Sequence, residues 1–235
     1  MHMEGYGKDM ITIYEELEQG SDAWIKARCG LISASIMNDI LTPLLKLASN
    51  DKTRAAVYEL ACQRVTRHVE PQFWTDSMLR GVSDEVTARE LYSEHISTAI
   101  EVGGMSRQFA FGEVWYSPDG VVGDDGLIEV KSRRAGLHFK TVSEGEIPKE
   151  HILQLQAGLL VSGRKWIDYI SICKGMPLFI KRVEPIEEYQ QAILLACETM
   201  EEKIAEVTHS YYSTIGDMDI IITTERDPEE VEVYL

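Results

Sequence analysis

Apolar positions along the first hundred residues recur at helical spacing. Ser21 or Asp22 starts a short helix through Arg28, and Ser33 starts another that runs to about Leu41, where Thr42-Pro43 breaks the chain. Asn50-Asp51 opens a third helix with Val57, Leu60, Ala61 and Val65 on one face. A fourth is expected from Ser83, with acids at 84 and 85 suiting a helix N-terminus and Val86, Leu91, His95 and Ile100 carrying it to about 101.

The period then shortens. Residues 107–111, 113–116 and 127–131 are β-rich runs punctuated by Gly112 and by the glycines of GVVGDDG. Pro148 opens a helix with Ile152, Leu155, Leu159 and Leu160 on one side, closed by Gly163. Strands at 166–173 and 178–183 flank the turn KGMP, a long helix runs from Pro185 to about 207, and 220–224 is β-like. This order predicts an α/β fold, a mixed central β-sheet flanked by helices with a helical N-terminal part. We expect one domain over 1–235: mainly helical to 101, sheet and helices over 102–207, and an acidic tail over 208–235.

Composition changes this picture little, since 44% of residues are hydrophobic and 26% charged. No apolar run approaches the ~18 residues of a membrane helix, and no signal-like stretch opens the chain, so a cytoplasmic protein without a membrane partner is expected. The net charge of −16 argues against indiscriminate nucleic-acid binding, but fourteen acids against two bases lie from Glu184 onward. Residues 1–183 carry only −4, which leaves room there for local basic sites. Cys29, Cys62, Cys173 and Cys197 lack metal-ligand spacing and read as reduced core thiols. No phosphate-binding GxxxxGK loop, strand-borne GxGxxG or GxSxG is present.

One acidic constellation remains. Ser117-Pro118-Asp119-Gly120 ends one β-like run, and ten residues after Asp119 a second presents Glu129-Val130-Lys131. Alternation puts Glu129 and Lys131 on one side of a strand and Val130 on the other, while a hairpin brings Asp119 beside them. Two carboxylates and the Val130 carbonyl suit Mg²⁺, and Lys131 suits the attacking water of a phosphodiester hydrolysis. On a solvated strand the same residues amount to an ion pair worth ~0–1 kcal/mol. The buried-sheet setting of Ile128 and Val130, with Gln154 and Gln156 in the next helix, favours the former reading.

The PD…ExK order followed by a glutamine-bearing helix is similar to the PD-(D/E)xK nuclease superfamily, with its restriction-endonuclease-like core. The segment DAWIKARCGLISAS at 22–35, with RGxxxE at 80–85, SPDG, ExK and QxQ, resembles the phage lambda exonuclease family, the alkaline exonucleases of viral recombination. The resemblance runs from about residue 20 to 185. It implies a processive 5′→3′ exonuclease that digests one strand of linear duplex DNA to 5′-mononucleotides and leaves a 3′ single strand for annealing. It implies Mg²⁺, two per site with Mn²⁺ as substitute, a ring-shaped homotrimer, a cognate single-strand annealing protein, and a bacterial host or prophage setting. By resemblance, Asp119, Glu129 and the Val130 carbonyl bind metal, Lys131 acts on water, Glu85 completes the acids, and Gln154 orients water or phosphate.

Arg28, Ser33 and Ser35 match residues that hold the terminal 5′-phosphate, with an ion pair for Arg28 and a helix cap for Ser33 as the alternatives. Met78 matches a wedge between base pairs, or else a core residue. Trp24 reads as core packing. His151 stands where an aromatic hydroxyl is expected; a hydrogen bond from it to phosphate would respond to its charge near pH 6.5. The competing functions are a restriction or junction-resolving endonuclease of the same superfamily and a non-catalytic acidic binding module.

Overall fold

The structure, a computed structural model, describes residues 10–71 and 75–226. Strand β1 (Ile11–Tyr14) leads into α1 (Asp22–Arg28), β2 (Ile32–Ser33), a 3-10 turn (Ala34–Ile36), α2 (Met37–Ile40), α3 (Asp51–Thr66) and α4 (Asp76–His95). Four strands follow: β3 (Gly104–Phe109), β4 (Gly112–Tyr116), β5 (Gly120–Val122) and β6 (Gly126–Ser132). Helices α5 (Ala135–Glu144) and α6 (Lys149–Ser162), strands β7 (Trp166–Ile172) and β8 (Phe179–Val183) and helix α7 (Glu187–Gly216) complete the order.

The fold is mixed α/β, but its strands form two four-stranded sheets where one central sheet was expected, ordered β1-β3-β4-β2 and β5-β6-β7-β8. The division falls between β4 and β5, where Pro118 has no amide hydrogen to continue a ladder. Each sheet is mixed. In the second, β6 and β7 are parallel, with β5 and β8 antiparallel on the outside. Parallel neighbours need a crossover, and α5 with α6 supplies it.

The second sheet places the site. Ile128 and Val130 of β6 and Ile170 and Ile172 of β7 pack with Ala88 and Tyr92 of α4. Leu127, Ile167 and Tyr169 alternate to the other side and join the main core with Leu155 and Leu159 of α6. Glu129 and Lys131 share that second side, as the two-residue period requires. Helix α6 is buried along most of its length, and Gly158 makes its close approach possible: a Cβ there would stand 2.7 Å from the Tyr116 ring. Among the described residues, no helix is long and apolar enough to cross a membrane.

Several boundaries differ from expectation. Helix α4 begins seven residues early, because the Thr75 hydroxyl accepts the Met78 amide and supplies the cap. Ser33 makes no side-chain cap bond and belongs to β2. Strand β1, strand β5 and helix α5 carried too weak a pattern to be read; α5 is anchored by buried His138, held between the Ser171 hydroxyl and the Pro177 carbonyl. Helix α7 continues to Gly216, into the segment read as tail, and 220–224 forms no strand, with Ile220, Ile221 and Ile222 exposed. The rest of that tail, 227–235, lies outside the described residues. Of the four free cysteines only Cys197 is buried, and Cys62 is exposed rather than core.

Candidate active site

The β5–β6 hairpin and α6 bring together most of the acidic constellation. Asp119 precedes β5; its amide donates to the Ile128 carbonyl (3.2 Å) and its Oδ2 accepts the Val130 amide (2.5 Å). These two bonds fix the aspartate beside the strand that carries Glu129 and Lys131. Glu129 is 2% exposed and meets three donors. Tyr116 Oη donates to its Oε2 (2.8 Å), while Lys131 Nζ (2.6 Å) and Gln154 Nε2 (2.7 Å) donate to its Oε1. Glu85, on α4, accepts from Arg89 Nη1 (3.1 Å), and the same nitrogen donates to the Asp119 carbonyl (2.7 Å). Arg89 also pairs with Glu101.

The electrostatics are unbalanced. Asp119, Glu129, Glu85 and Glu101 face Lys131 and Arg89, four carboxylates against two cations. Burial, then the charges of Glu129 and Glu85, push the Asp119 carboxyl well above the usual range, against the pull of Lys131 and the Val130 amide. Burial likewise raises Glu85, partly offset by Arg89. Burial works against the Lys131 charge, but Glu129 and Asp119 more than compensate and its pKa is raised. Burial and the neighbouring Glu129 and Asp119 charges hold the Tyr116 hydroxyl firmly protonated, so it is a donor.

No three His, Cys, Asp or Glu side chains close into a metal cage among the described residues. Mg²⁺ asks for less: one or two carboxylates, with water completing an octahedron. Asp119, Glu129 and the Val130 carbonyl are the candidates for that demand: Asp119 Oδ2 and Glu129 Oε2 each accept one hydrogen bond and keep a second acceptor site, while Glu129 Oε1 is filled by Lys131 and Gln154. The unbalanced charge around them is what a divalent cation offsets.

The residues matched to 5′-phosphate holding lie around α1. Arg28 has burial working against its charge, stacks 4.4 Å over the Trp24 ring, and forms no ion pair among the described residues, so the ion-pair alternative finds no acid. The Ser33 and Ser35 hydroxyls bond one another at 2.9 Å, Ser33 buried and Ser35 exposed. Trp24 is half-buried and anchors α1, its Nε1 donating to the Gly103 carbonyl (2.6 Å) and to Ser117 Oγ (3.2 Å), two residues before Asp119. Gly30 sits at φ +74°, where a Cβ would meet the Arg64 side chain at 2.7 Å; Arg64 is itself locked bidentately to Glu201. Met78 is 38% exposed on the first turn of α4, outside the core.

His151 departs from expectation. Its Nε2 accepts from Arg133 Nη1 (2.6 Å), and burial together with the charges of Lys131 and Arg133 pushes its pKa down to about 3. That shift favours the neutral ring near pH 7, so a charge response near 6.5 is not expected of it. Sequence reasoning missed Tyr116, Arg89 and Arg133. The signals were present but weak: Arg89 is four residues from Glu85 on a helix, and Arg133 is two beyond Lys131, just past the end of β6.

A family model described as the YqaJ-like viral recombinase domain matches residues 23–165. Among solved structures, the chain is similar to LHK-Exo, an alkaline exonuclease from Laribacter hongkongensis, at 26% identity and a TM-score of 0.74. LHK-Exo in complex with dAMP matches at 27% identity and 0.75. Both matches cover 83% of this chain and 98% of that one. A phage related exonuclease from Haemophilus somnus 129PT shares the fold at 13% identity and a TM-score of 0.57, over 77% of this chain and 96% of its own. No curated protein matches the chain.

Proposed function

Because the chain belongs to the YqaJ-like viral recombinase family and is a recombination-related nuclease, we propose that it is a Mg²⁺-dependent 5′→3′ exonuclease. It acts processively on linear duplex DNA, releases 5′-mononucleotides and leaves a 3′ single strand for annealing. The observation that carries this reading is Glu129 gathered with Lys131, Gln154 and Tyr116 by bonds of 2.6–2.8 Å, beside an Asp119 raised by their shared burial.

Asp119, Glu129 and the Val130 carbonyl hold Mg²⁺. When bound, the ion activates water and offsets charge on the phosphate. Lys131, kept charged by its acids, is a donor rather than a base; it orients the attacking water and faces the negative charge on the phosphoryl oxygens. Gln154, whose amide bonds Glu129, fixes that carboxylate's rotamer, and Arg89 fixes the Asp119 backbone. Arg28, with Ser33 and Ser35, receives the terminal 5′-phosphate, and exposed Met78 meets the last base pairs. Two metals per site, Mn²⁺ as substitute, a homotrimeric ring, an annealing-protein partner and a cytoplasmic setting complete the proposal.

The test compares linear with closed circular duplex, 5′-phosphate with 5′-hydroxyl ends, with and without Mg²⁺. Expected are digestion of linear DNA only, faster from 5′-phosphate, with Arg28→Ala erasing that preference. Lys131→Ala should lose about 10²–10⁴-fold in hydrolysis yet still bind ends. Cutting of closed circles would instead assign an endonuclease, and no cleavage with any divalent ion a binding module.

A further inference from the structure

The alternation of β6 continues past the lysine. Arg133 follows two residues on, its amide donating to the Ile172 carbonyl (2.9 Å), so positions 129, 131 and 133 share one side of the extended chain. On β7, Tyr169 is the register partner of Glu129 and stands on that same side. Its ring is held between His151 (5.5 Å, stacked) and Phe179 (6.4 Å, edge-on).

The Arg133 side chain is nine-tenths buried. One end of its guanidinium is occupied: Nη1 donates to His151 Nε2 (2.6 Å) and to Glu150 Oε1 (3.1 Å). Its Nε is buried with no hydrogen-bond partner, and so is the Tyr169 hydroxyl. Arg133 and Lys131 act on that hydroxyl by charge, and Arg133 and Ser171 also stand beside it as donors, yet none closes a hydrogen bond of good geometry, and burial prevails and keeps it protonated. Buried polar atoms without partners are few in folded proteins, and two beside a candidate catalytic lysine ask for a common acceptor.

Charge identifies the acceptor. The acid paired with Arg133 is Glu150, 65% exposed, a partner screened by solvent. His151 accepts rather than donates toward Arg133, and it stays neutral. What remains is an N–H, an O–H and an ammonium, all donors, with two positive charges. That set fits the oxygens of a phosphate and repels a cation.

We propose that Arg133 and Tyr169 form a phosphate subsite that grips the non-bridging oxygens of the scissile phosphodiester beside Lys131. The inference deepens the exonuclease reading and rests on it. The carboxylates then hold the cation side of the reaction, and residues 131, 133 and 169 hold the anion side.

The experiment uses the full chain and 5′-phosphorylated duplexes. The linkage between the first two nucleotides is either an ordinary phosphodiester or a neutral methylphosphonate. Affinity is read by fluorescence anisotropy in Ca²⁺, with a gel showing that the DNA stays intact. Wild type should prefer the charged linkage by about tenfold or more. Arg133→Met should cut that preference to below about threefold, Tyr169→Phe should fall between, and Arg133→Lys should restore part of it. The preference for a 5′-phosphate over a 5′-hydroxyl end should not change in any variant.

An unchanged charged-to-neutral ratio in both Arg133→Met and Tyr169→Phe overturns the subsite and leaves the two groups to water. If cleavage and end preference persist while the ratio does not move, only the subsite falls. A wild type with neither Mg²⁺-dependent cleavage nor end preference removes both readings. Should circular dichroism show Arg133→Met unfolded, Arg133→Lys and Tyr169→Phe decide by the same ratio.

Discussion

Two buried carboxylate clusters lie on adjacent strands of one sheet and behave in opposite ways. On β7, Asp168 is 3% exposed and accepts from Tyr92 Oη (2.7 Å) and from Arg182 Nε and Nη2 (both 2.8 Å). The Arg182 guanidinium is stacked 3.5 Å over Trp166. One acid thus meets one bidentate cation and one hydroxyl, and the charge closes to zero. On β6, Glu129 also accepts from a tyrosine, Tyr116, but its cation is shared with Asp119, and Glu85 crowds the pair. Charges taken out of water cost several kcal/mol each unless neutralised. The Asp168 cluster is therefore finished as folded, and the Glu129 cluster is left wanting positive charge. That contrast separates a structural ion pair from a site, although both are a buried acid on a strand.

The sharpest way to break the contrast is Asp119→Asn. We expect cleavage to fall by on the order of 10²–10³-fold or more, because a proposed metal ligand and its charge are lost together. Stability should move the other way. Burial and the charges of Glu129 and Glu85 raise the Asp119 carboxyl. A carboxyl whose pKa is higher folded than unfolded stabilises below its unfolded value, near 3.9, and loses that contribution as pH rises through the folded value. Without divalent ion, wild-type stability should decline above about pH 4, and Asp119→Asn should flatten the decline. Mg²⁺ should raise the wild-type Tm at pH 7 and leave the variant unmoved. Thermal melts from pH 5 to 8, with chelator or Mg²⁺, check this. A wild-type Tm indifferent to both would put Asp119 in the class of Asp168.

Arg182→Met tests the other side. It leaves Asp168 buried with only Tyr92 as donor. Breaking a fully buried pair costs ~3–5 kcal/mol; with Arg182 48% exposed, ~2–3 kcal/mol is expected. Denaturant titration measures the loss, and cleavage per folded molecule should stay at the wild-type level.

How much of this was legible in the sequence depends on reach. Glu129, Val130 and Lys131 betray themselves by local alternation, and Asp119 by the Pro-Asp-Gly turn at hairpin distance. The two faces of β6 were readable for the same reason. Tyr116 was not, because its hydroxyl reaches Glu129 only after β4 and β6 have separated into different sheets, with Gly158 clearing space against α6. Arg89 showed only its helical spacing to Glu85; its bond to the Asp119 carbonyl thirty residues away is one that no side-chain pattern announces. Arg133 required knowing that Tyr169 stands beside it, a fact of β6–β7 register. The missed helix α5 depends on His138 and its tertiary bonds rather than on its own periodicity.

The smallest expected effect belongs to His151, and it distinguishes a tuned imidazole from a buried support. A solvated histidine beside a phosphate would titrate near 6.5 and impose a step on the rate. Here burial, Lys131 and Arg133 push the ring down to about 3, and its Nε2 lone pair is used by Arg133. The profile of kcat/KM between pH 6 and 8 should therefore have the same shape in wild type and His151→Asn, with less than about a threefold change in rate. Acid stability is where the ring should register. A histidine whose pKa is lower folded than unfolded contributes stability above 6.5 and loses it as pH falls toward the folded value. His151→Asn should thus narrow the drop in Tm between pH 7 and pH 4.5 without touching the rate profile. A rate step near 6.5 that the variant abolishes would mean that the ring charges during turnover. Arg133 would then lose its acceptor, and the cationic, donor-only phosphate edge built on that bond would not hold.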